Sequence, residues 1–263
     1  MSAITSRSNP LVRELRALLR SPSRETGRVV VEGWRALDAA VSAGAHFEIA
    51  AYTPEAADDA RLAALRRAMR ASGAREVILA PDVFAALAQV ETPQGALGIA
   101  RRPGPPPAST LDAPDALAVV LDAVQDPGNV GAILRTAAAV GVTVAVTVDG
   151  AADPFGPKAL RASAGTAFLV PVLHFADAET AAMDMRRHGT RLMVAGPRGG
   201  RPVAEASFAR PLALIFGNEG VGAAEAWSRA GAETVYLPVG NGVESLNVAA
   251  SAAIFLYRAA GLV

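Results

Sequence analysis

Three glycine-containing turns carry the residues of this chain that are best suited to bind a charged ligand and act on it. The first turn reads QDPGNVGAILRT, residues 125–136, and contains Asn129 and Arg135. Backbone N–H groups at the start of a helix favour anions, and an arginine can grip a phosphate in two places. This turn therefore suggests a phosphate site, although an ordinary turn before a helix uses the same Asn and Gly residues.

The other two turns suggest a ligand held close to the backbone. The second turn, FGNEGVG (216–222), has three glycines, which permit sharp bends or a close approach to a ligand. Its Glu219 could hold a cation, a ribose hydroxyl or an arginine, or could simply favour the start of the next helix. The third turn, LPVGNGVESLN (237–247), leads into the last helix. Ser245 is its predicted N-cap, and Asn247 is predicted in the first turn, with its amide on backbone or ligand.

Apolar strands position these turns. The predicted strands of this half are residues 117–121, 142–148, 168–172, 191–195, 212–216 and 234–237, and the predicted helices are 132–140 and 246–260. Continuous apolar strands that alternate with helices indicate a parallel sheet covered by helices. Ligands bind beyond the carboxyl ends of such strands, so the three turns are expected to converge there. The last helix is apolar on nearly all sides, which predicts burial.

The first hundred residues form a second alternating pattern. The predicted strands are 28–32, 47–52, 76–80 and 96–101, and the predicted helices are 10–20, 33–44, 58–71 and 81–89. This pattern indicates a small α/β domain. The segment RRPGPPPAST (101–110) is too rich in proline for a helix or a central strand and is interpreted as a semi-rigid linker. The sequence thus predicts two domains, residues 1–105 and 106–263.

Composition excludes several classes of protein. The chain has 263 residues, 51% hydrophobic and 19% charged, which is enough for a core and excludes wholesale disorder. It has no cysteine, so disulfides and thiolate metal sites are excluded, and its three scattered histidines suggest no metal centre. Apolar stretches of about nine residues are too short to span a membrane, and the first ten residues lack a secretory core, so a cytoplasmic protein is expected.

Two common nucleotide-binding motifs are missing, and the charge is unevenly spread. The sequence has neither a G-x-G-x-x-G nor a G-x-x-x-x-G-K-[ST] motif, which disfavours nicotinamide dehydrogenases and P-loop hydrolases. The net charge is zero, yet residues 1–35 hold seven arginines against three acidic residues. That excess indicates either a polyanion-binding surface or a solvated helix face.

Taken together and in order, the motifs resemble the SpoU (TrmH-like) branch of the SPOUT RNA methyltransferases. The matching segments of the second half are NVGAILR (129–135), DPFGPKALRASAG (153–165), LALIFGNEGVG (212–222) and LPVGNGVESLNVAASAA (237–253). In the first half, SNPLVREL, VVVEGWRALDAA and TPQGALGIARRP are similar to the family's substrate-binding domain. The resemblance covers nearly the whole chain.

The resemblance implies a fold, a cofactor and a substrate. The implied fold is an α/β parallel sheet with a C-terminal trefoil knot, preceded by a small α/β domain that binds RNA. The implied methyl donor is S-adenosylmethionine, with contacts from Gly217, Leu237 and Leu246 and with Ser245 and Asn247 beside them. Members are usually homodimers, and the usual substrate is one ribose 2′-hydroxyl in ribosomal or transfer RNA.

The resemblance also implies residue roles. Arg135 is the implied catalytic residue; because a free arginine keeps its proton and is a poor base, a phosphate clamp that stabilises the forming alkoxide is preferred to a base. Glu219 could orient Arg135 or accept the proton, and Asn129 is expected to position Arg135 or the ribose. The expected RNA contacts are Arg7, Arg13, Arg16, Lys158 and Arg161, although each could be a solvated side chain.

Three alternatives stay open from the sequence. An antibiotic-resistance methylase acting on large-subunit ribosomal RNA would carry the same motifs. A non-catalytic RNA-binding or ribosome-assembly factor would not need the Arg135, Glu219 and Ser245-Leu246-Asn247 set, which is intact. A small-molecule methyltransferase is disfavoured by the resemblance of the first hundred residues to an RNA-binding domain.

Overall fold

A computed structural model describes residues 3–20, 23–196 and 199–263. The chain forms two compact units: Met1–Pro103 with Asp153–Leu169, and Gly104–Ala152 with Val170–Val263. The domain boundary predicted at residue 106 assigns the segment Asp153–Leu169 to the second domain. The contacts of this segment instead place it in the first unit.

The described residues contain eleven strands and eleven α-helices. The strands are β1 (Arg28–Glu32), β2 (Phe47–Tyr52), β3 (Arg75–Ile78), β4 (Ala96–Arg101), β5 (Leu117–Asp122), β6 (Val144–Val148), β7 (Val172–Phe175), β8 (Arg191–Gly196), β9 (Arg201–Pro202), β10 (Leu212–Phe216) and β11 (Glu233–Tyr236). The helices are α1 (Pro10–Leu18), α2 (Ser23–Thr26), α3 (Trp34–Ser42), α4 (Pro54–Asp58), α5 (Ala63–Ala71), α6 (Pro81–Ala85), α7 (Pro127–Ala139), α8 (Pro157–Ala162), α9 (Ala178–Arg187), α10 (Glu225–Arg229) and α11 (Val248–Ala259). Short 3-10 turns cover Ala60–Leu62, Ala108–Leu111 and Thr166–Leu169.

The first unit is built on a four-stranded mixed sheet in the order β1-β4-β2-β3. β4 runs antiparallel to both β1 and β2, and β2 pairs in parallel with β3. The Asn9 side chain accepts a hydrogen bond from the Leu11 N–H and caps α1, and Pro10 occupies the first helical position, where its missing N–H costs nothing. The apolar face of α1 then packs into the core beside Val30 and Ile99.

A half-buried polar cluster attaches the segment Asp153–Leu169 to the rest of the first unit. The Asp153 carboxylate accepts hydrogen bonds from the Ser23 hydroxyl at 2.5 Å and the Arg102 guanidinium at 2.7 Å. Arg102 also lies 4.7 Å from the centroid of the Phe155 ring. At the other end of the segment, a Cβ on Gly165 would lie 2.5 Å from the Ala36 carbonyl oxygen, so only glycine permits this approach.

The second unit contains a seven-stranded parallel sheet, which confirms the predicted α/β fold class. The order is β7-β6-β5-β10-β8-β11-β9, and all neighbouring pairs are parallel. β5, β6 and β10 are buried along their whole length, as expected for central strands with helices on both faces. At the β9 edge, a Cβ on Gly200 would lie 2.0 Å from the Thr234 carbonyl oxygen, so glycine is required beside β11.

Several predicted elements of the second half are wrong in position or burial. The strand predicted at 168–172 begins only at Val172, because Thr166–Leu169 forms a 3-10 turn and Pro171 has no N–H to donate to a ladder. α7 begins at Pro127, five residues earlier than predicted, because Asp126 caps it. α11 is not buried on all sides: Ile254 is 41% exposed and Tyr257 38% exposed.

One helix of the first half also differs. The helix predicted at 58–71 is interrupted, with α4 ending at Asp58 and α5 beginning at Ala63. Between them Asp59 adopts an extended backbone conformation, and its side chain accepts a hydrogen bond from the Arg61 N–H. Aspartate favours such a cap over a helix interior, which explains the break.

Replacing Asp153 should make the first unit less stable in a pH-dependent way. Burial raises the pKa of Asp153. The hydrogen bonds from Ser23, Arg102 and the Phe155 N–H, together with the Arg102 charge, lower that pKa by a larger amount, so it lies below its ordinary value. A carboxyl group with a lowered pKa in the folded protein stabilises the fold at pH values above its pKa in the unfolded chain, which is about 3.9. This stabilisation is lost as the pH falls through the pKa of the folded state.

We therefore expect Asp153→Asn to lower the free energy of unfolding by about 1–3 kcal/mol at pH 7. The difference from wild type should shrink below about pH 4. Urea unfolding across this pH range measures it, and the exposed Asp38→Asn is the control, with an expected effect of less than about 0.5 kcal/mol. An Asp153→Asn effect that does not change with pH would contradict this account.

Candidate active site

The turn after β10 folds back on itself and is tied to the end of β5. Asn218 and Gly222 exchange two backbone hydrogen bonds of 3.1 and 2.9 Å. The Asn218 side-chain oxygen accepts from the Gly220 and Val221 N–H groups, and its amide nitrogen donates to the Ala123 carbonyl at 3.1 Å. A Cβ on Gly217 would lie 2.1 Å from the Ala223 nitrogen, so the chain can close here only with glycine.

A buried carboxylate holds the far end of the same turn. Asp122, the last residue of β5, is 4% exposed. One of its oxygens accepts from the Ala224 N–H at 2.6 Å and from the Trp227 indole N–H at 2.9 Å. Neither Asp122 nor Trp227 was predicted from the sequence. The sequence signal that could have identified Asp122 is an acidic residue at the end of an otherwise apolar strand.

Asn247, rather than Ser245, is the N-cap of the last helix. The Asn247 side-chain oxygen accepts from the Ala249 N–H at 2.8 Å and the Ala250 N–H at 3.2 Å. The prediction of Ser245 is wrong because α11 begins at Val248, which places Ser245 two residues before the cap. The expected contact of the Asn247 amide with backbone is present, and its nitrogen also donates to the Asn129 side-chain oxygen at 3.1 Å.

Asn129 links the first turn to the other two. It is the third residue of α7, where Asp126 accepts hydrogen bonds from the Gly128 and Asn129 N–H groups. The Asn129 amide nitrogen donates to Glu219 Oε1 at 2.9 Å. The side chains of Asn247, Asn129 and Glu219 thus form one hydrogen-bonded chain, here called the amide bridge, across the three turns.

An open cavity of about 640 Å³ lies against the second and third turns. The predicted cofactor residues that line it are Gly217, Leu237, Ser245, Leu246 and Asn247, and Glu219 lines it as well. Ala195 and Gly196 at the end of β8 complete one wall and were missed, because small apolar residues at a strand end carry no distinctive signal. A Cβ on Gly196 would lie 2.7 Å from Thr234 Cγ2, so this wall is closely packed.

Arg135 is exposed on α7 and does not line the cavity. Among the described residues it makes no hydrogen bond or ion pair, so neither Asn129 nor Glu219 is hydrogen-bonded to it in this structure. α7 packs along α11, whose first turn borders the cavity.

The five predicted RNA-binding residues lie in the first unit, away from these turns in the chain. Arg7 is exposed and donates to the Asp82 carbonyl at 3.4 Å, and Arg13 and Arg16 lie on α1. Lys158 and Arg161 lie on α8.

The described residues contain neither a metal-binding cluster nor a membrane-spanning helix. No group of three or more His, Cys, Asp or Glu residues in the described ranges could hold a metal ion. Among the same residues, no helix has both the length and the apolar character needed to cross a bilayer.

Two family models match the chain, one in each half, and the match in the second half includes Asp153–Leu169, which packs in the first unit. Residues 116–257 match the model of the SpoU rRNA Methylase family, and residues 9–98 match the MRM3-like substrate binding domain. The 23S rRNA (guanosine(2553)-2′-O)-methyltransferase RlmP of Bacillus subtilis is 34% identical over 190 residues, which cover 72% of this chain and 74% of that protein. The 23S rRNA (uridine(2479)-2′-O)-methyltransferase of Streptomyces viridochromogenes is 30% identical over 274 residues, covering 97% and 91%.

A solved structure agrees over the full length. The AdoMet-bound rRNA methyltransferase from Sinorhizobium meliloti superposes with a TM-score of 0.86 at 27% identity, covering 100% of this chain and 98% of that one. With a family model spanning more than half of the residues and a relative 30% identical over nearly all of them, the chain belongs to the SpoU rRNA methylase family.

Proposed function

We propose that this protein transfers a methyl group from S-adenosylmethionine to a ribose 2′-hydroxyl of RNA, and that its substrate is ribosomal RNA. The observation that carries the proposal is the cavity beside the amide bridge, which brings predicted cofactor residues from two turns to one place. Support for the donor comes from the AdoMet-bound relative, and support for the substrate comes from relatives named as 23S rRNA 2′-O-methyltransferases.

The residues around the cavity fit S-adenosylmethionine. A volume of about 640 Å³ lies in the usual range for sites of small ligands. Gly217 and Gly196 place main chain on the cavity wall, and Leu237 and Leu246 offer apolar contacts to a nucleoside. A ligand held mainly through main-chain groups needs no side-chain cation, and none lines this cavity among the described residues.

The bound donor supplies a methyl group on a positively charged sulfur, which makes that carbon open to attack. The protein has to place the 2′-oxygen about 3–3.5 Å from this carbon, in line with the sulfur. The amide bridge would fix Glu219 at the cavity edge, where its carboxylate can accept a hydrogen bond or the proton of the hydroxyl. Arg135 is proposed to clamp the neighbouring phosphate and to stabilise the oxygen as negative charge develops on it.

The first unit is proposed as the RNA substrate-binding domain, with residues 1–105 as its continuous part. It contains 16 basic against 12 acidic residues, whereas the second unit contains 9 against 13. Such an excess supports binding to a polyanion. The proposed phosphate contacts are Arg7, Arg13, Arg16, Lys158 and Arg161. Since ribosomal RNA is the proposed substrate, we place the protein in the cytoplasm.

A homodimer and a C-terminal trefoil knot complete the proposal. Ile254 and Tyr257 lie three residues apart on one face of α11 and expose apolar surface, which supports a protein contact there. A partner seated on this helix could bring its own Arg135 towards the cavity. The insertion of β10 between β5 and β8, together with the likeness to the solved relative, supports the knot.

Arg135→Ala should abolish methyl transfer without weakening S-adenosylmethionine binding. Purified wild-type protein is expected to transfer labelled methyl groups to ribosomal RNA from cells that lack it, and the variant should be slower by about 10²–10³-fold, the usual cost of losing one charge-stabilising donor. Calorimetric titration measures cofactor affinity, which should change by less than about twofold because Arg135 does not line the cavity. Equal loss of binding and transfer would show that Arg135 is structural.

Asp122→Ala should weaken both the fold and the cofactor site. It leaves the Ala224 N–H and the Trp227 indole N–H without an acceptor, at a cost of about 1–3 kcal/mol for each buried donor. The turn at Gly217 should loosen, so S-adenosylmethionine affinity should fall together with the free energy of unfolding. Asp122→Asn keeps an acceptor oxygen and is the matched control with smaller losses. Unchanged affinity in Asp122→Ala would show that Asp122 does not shape the cavity.

Ile254→Asp should convert the proposed dimer into a monomer. A carboxylate in an apolar contact between subunits loses its hydration without gaining a partner, which disfavours association. Analytical ultracentrifugation should show twice the chain mass for wild type and a single chain mass for the variant. Met183→Asp, at an exposed apolar position on α9, is the control and should remain dimeric. A monomeric wild type would refute the homodimer.

A further inference from the structure

The first unit presents an exposed tryptophan that the proposed methyl-transfer site does not use. Trp34 is 41% exposed, whereas Trp227, the other tryptophan of the chain, is fully buried. Large aromatic rings usually pack in the core, and only 5% of the residues of this chain are aromatic. Its exposure at the first position of α3 therefore calls for an external contact.

The backbone that carries Trp34 is held in place. Gly33 has a φ of +89°, a left-handed conformation that favours glycine. A Cβ on Gly33 would lie 2.9 Å from the side-chain oxygen of Gln94, and the same oxygen accepts a hydrogen bond from the Trp34 N–H at 3.2 Å. The indole thus projects from a fixed start of the helix and not from a loose loop.

Positive charge accompanies this ring. The guanidinium carbon of Arg35 lies 5.1 Å from the Trp34 ring centroid, a cation–π distance, and the Arg35 side chain is exposed. Arg161 lies on α8, which packs against β1, the strand that precedes α3. Burial raises the pKa of Glu32, at the end of β1. The hydrogen bond from the Gln89 N–H and the positive charge of Arg161 reduce this rise.

An exposed leucine lies on a turn that packs against the same helix, α3. Leu169 ends the 3-10 turn Thr166–Leu169, which packs against α3, and its side chain is about half exposed. We call Trp34, Arg35, Arg161 and Leu169 together the Trp34 platform. All four belong to the first unit, which holds the excess of basic residues.

We propose that the Trp34 platform binds an unpaired base of the RNA substrate, with the base stacked on the indole and the adjacent phosphates held by Arg35 and Arg161. This inference rests on the proposed function and deepens it, because it assigns part of substrate selection to a splayed nucleotide in a loop or bulge. Such nucleotides are recognised in RNA by stacking on aromatic and arginine side chains.

An RNA ligand fits the platform better than a protein partner does. The apolar part consists of one indole and one leucine, which is small beside the cores of protein interfaces. Arg35 lies beside the indole, and every nucleotide offers both a ring to stack and a phosphate to pair with an arginine.

The test is a titration of full-length protein with an unmethylated large-subunit ribosomal RNA transcript at several salt concentrations. Trp34→Ala should bind roughly 5- to 150-fold more weakly at fixed salt, the range for loss of one stacked base, with an unchanged salt slope. Trp34→Phe keeps a ring and should lose less. Arg35→Ala should weaken binding and lower the magnitude of the salt slope by about 1, whereas Arg187→Ala, at an exposed arginine on α9 of the second unit, is the control and should change neither.

Two further measurements separate this inference from others. RNA should quench the tryptophan emission of wild type, and this quenching should be lost in Trp34→Phe. S-adenosylhomocysteine affinity should be unchanged in every variant, because the cavity residues belong to the second unit. A wild type that fails to bind S-adenosylhomocysteine would refute the proposed function, while the RNA titration would still decide the role of Trp34.

Three outcomes would overturn the platform. Trp34→Ala could bind the transcript within twofold of wild type. It could bind RNA normally but lose self-association in ultracentrifugation, which would make the ring a protein contact. Met183→Ala, an exposed apolar residue of the second unit, could lose as much RNA affinity as Trp34→Ala, which would show a general effect of removing surface apolar groups.

Discussion

The amide bridge is the interaction on which the arrangement of the candidate site depends. Its middle residue, Asn129, donates to Glu219 and accepts from Asn247, so one side chain joins turns that follow three different strands. An amide side chain donates at its nitrogen and accepts at its oxygen, whereas a carboxylate at position 129 would face Glu219 with like charge. The bridge therefore explains why the sequence has asparagine at both 129 and 247.

Around this bridge, close approaches of the main chain shape the cavity. Gly217 lets the turn after β10 fold against Ala223, and Gly196 lets β8 end against Thr234. Asp122 anchors the far side of the turn through two N–H groups, although it is buried and has no basic partner among the described residues. The cavity is thus defined more by backbone position than by large side chains, which suits a ligand recognised through main-chain groups.

The fully buried parts of the second unit were predictable because hydrophobicity alone determines them. The strands β5 and β10 are continuous apolar runs, and a parallel sheet brings the turns after them to one edge. Positions that depend on a single contact were not predictable. The cap at Asn247 depends on where α11 begins, and the role of Asp122 depends on a donor 105 residues away in the sequence. The packing of Asp153–Leu169 in the first unit depends on the contacts of Ser23 and Arg102, which no local pattern reveals. The exposed face of α11 was missed because periodicity cannot show whether a second molecule covers an apolar helix.

The central claim is that the cavity and the exposed arginine of the second unit serve methylation of ribose in ribosomal RNA. The most direct measurement is a map of 2′-O-methyl positions in ribosomal RNA from cells with the protein, without it, and with Arg135→Ala in its place. The account predicts one position that is methylated only when the wild-type protein is present. Identical maps of ribosomal RNA in all three strains would contradict it.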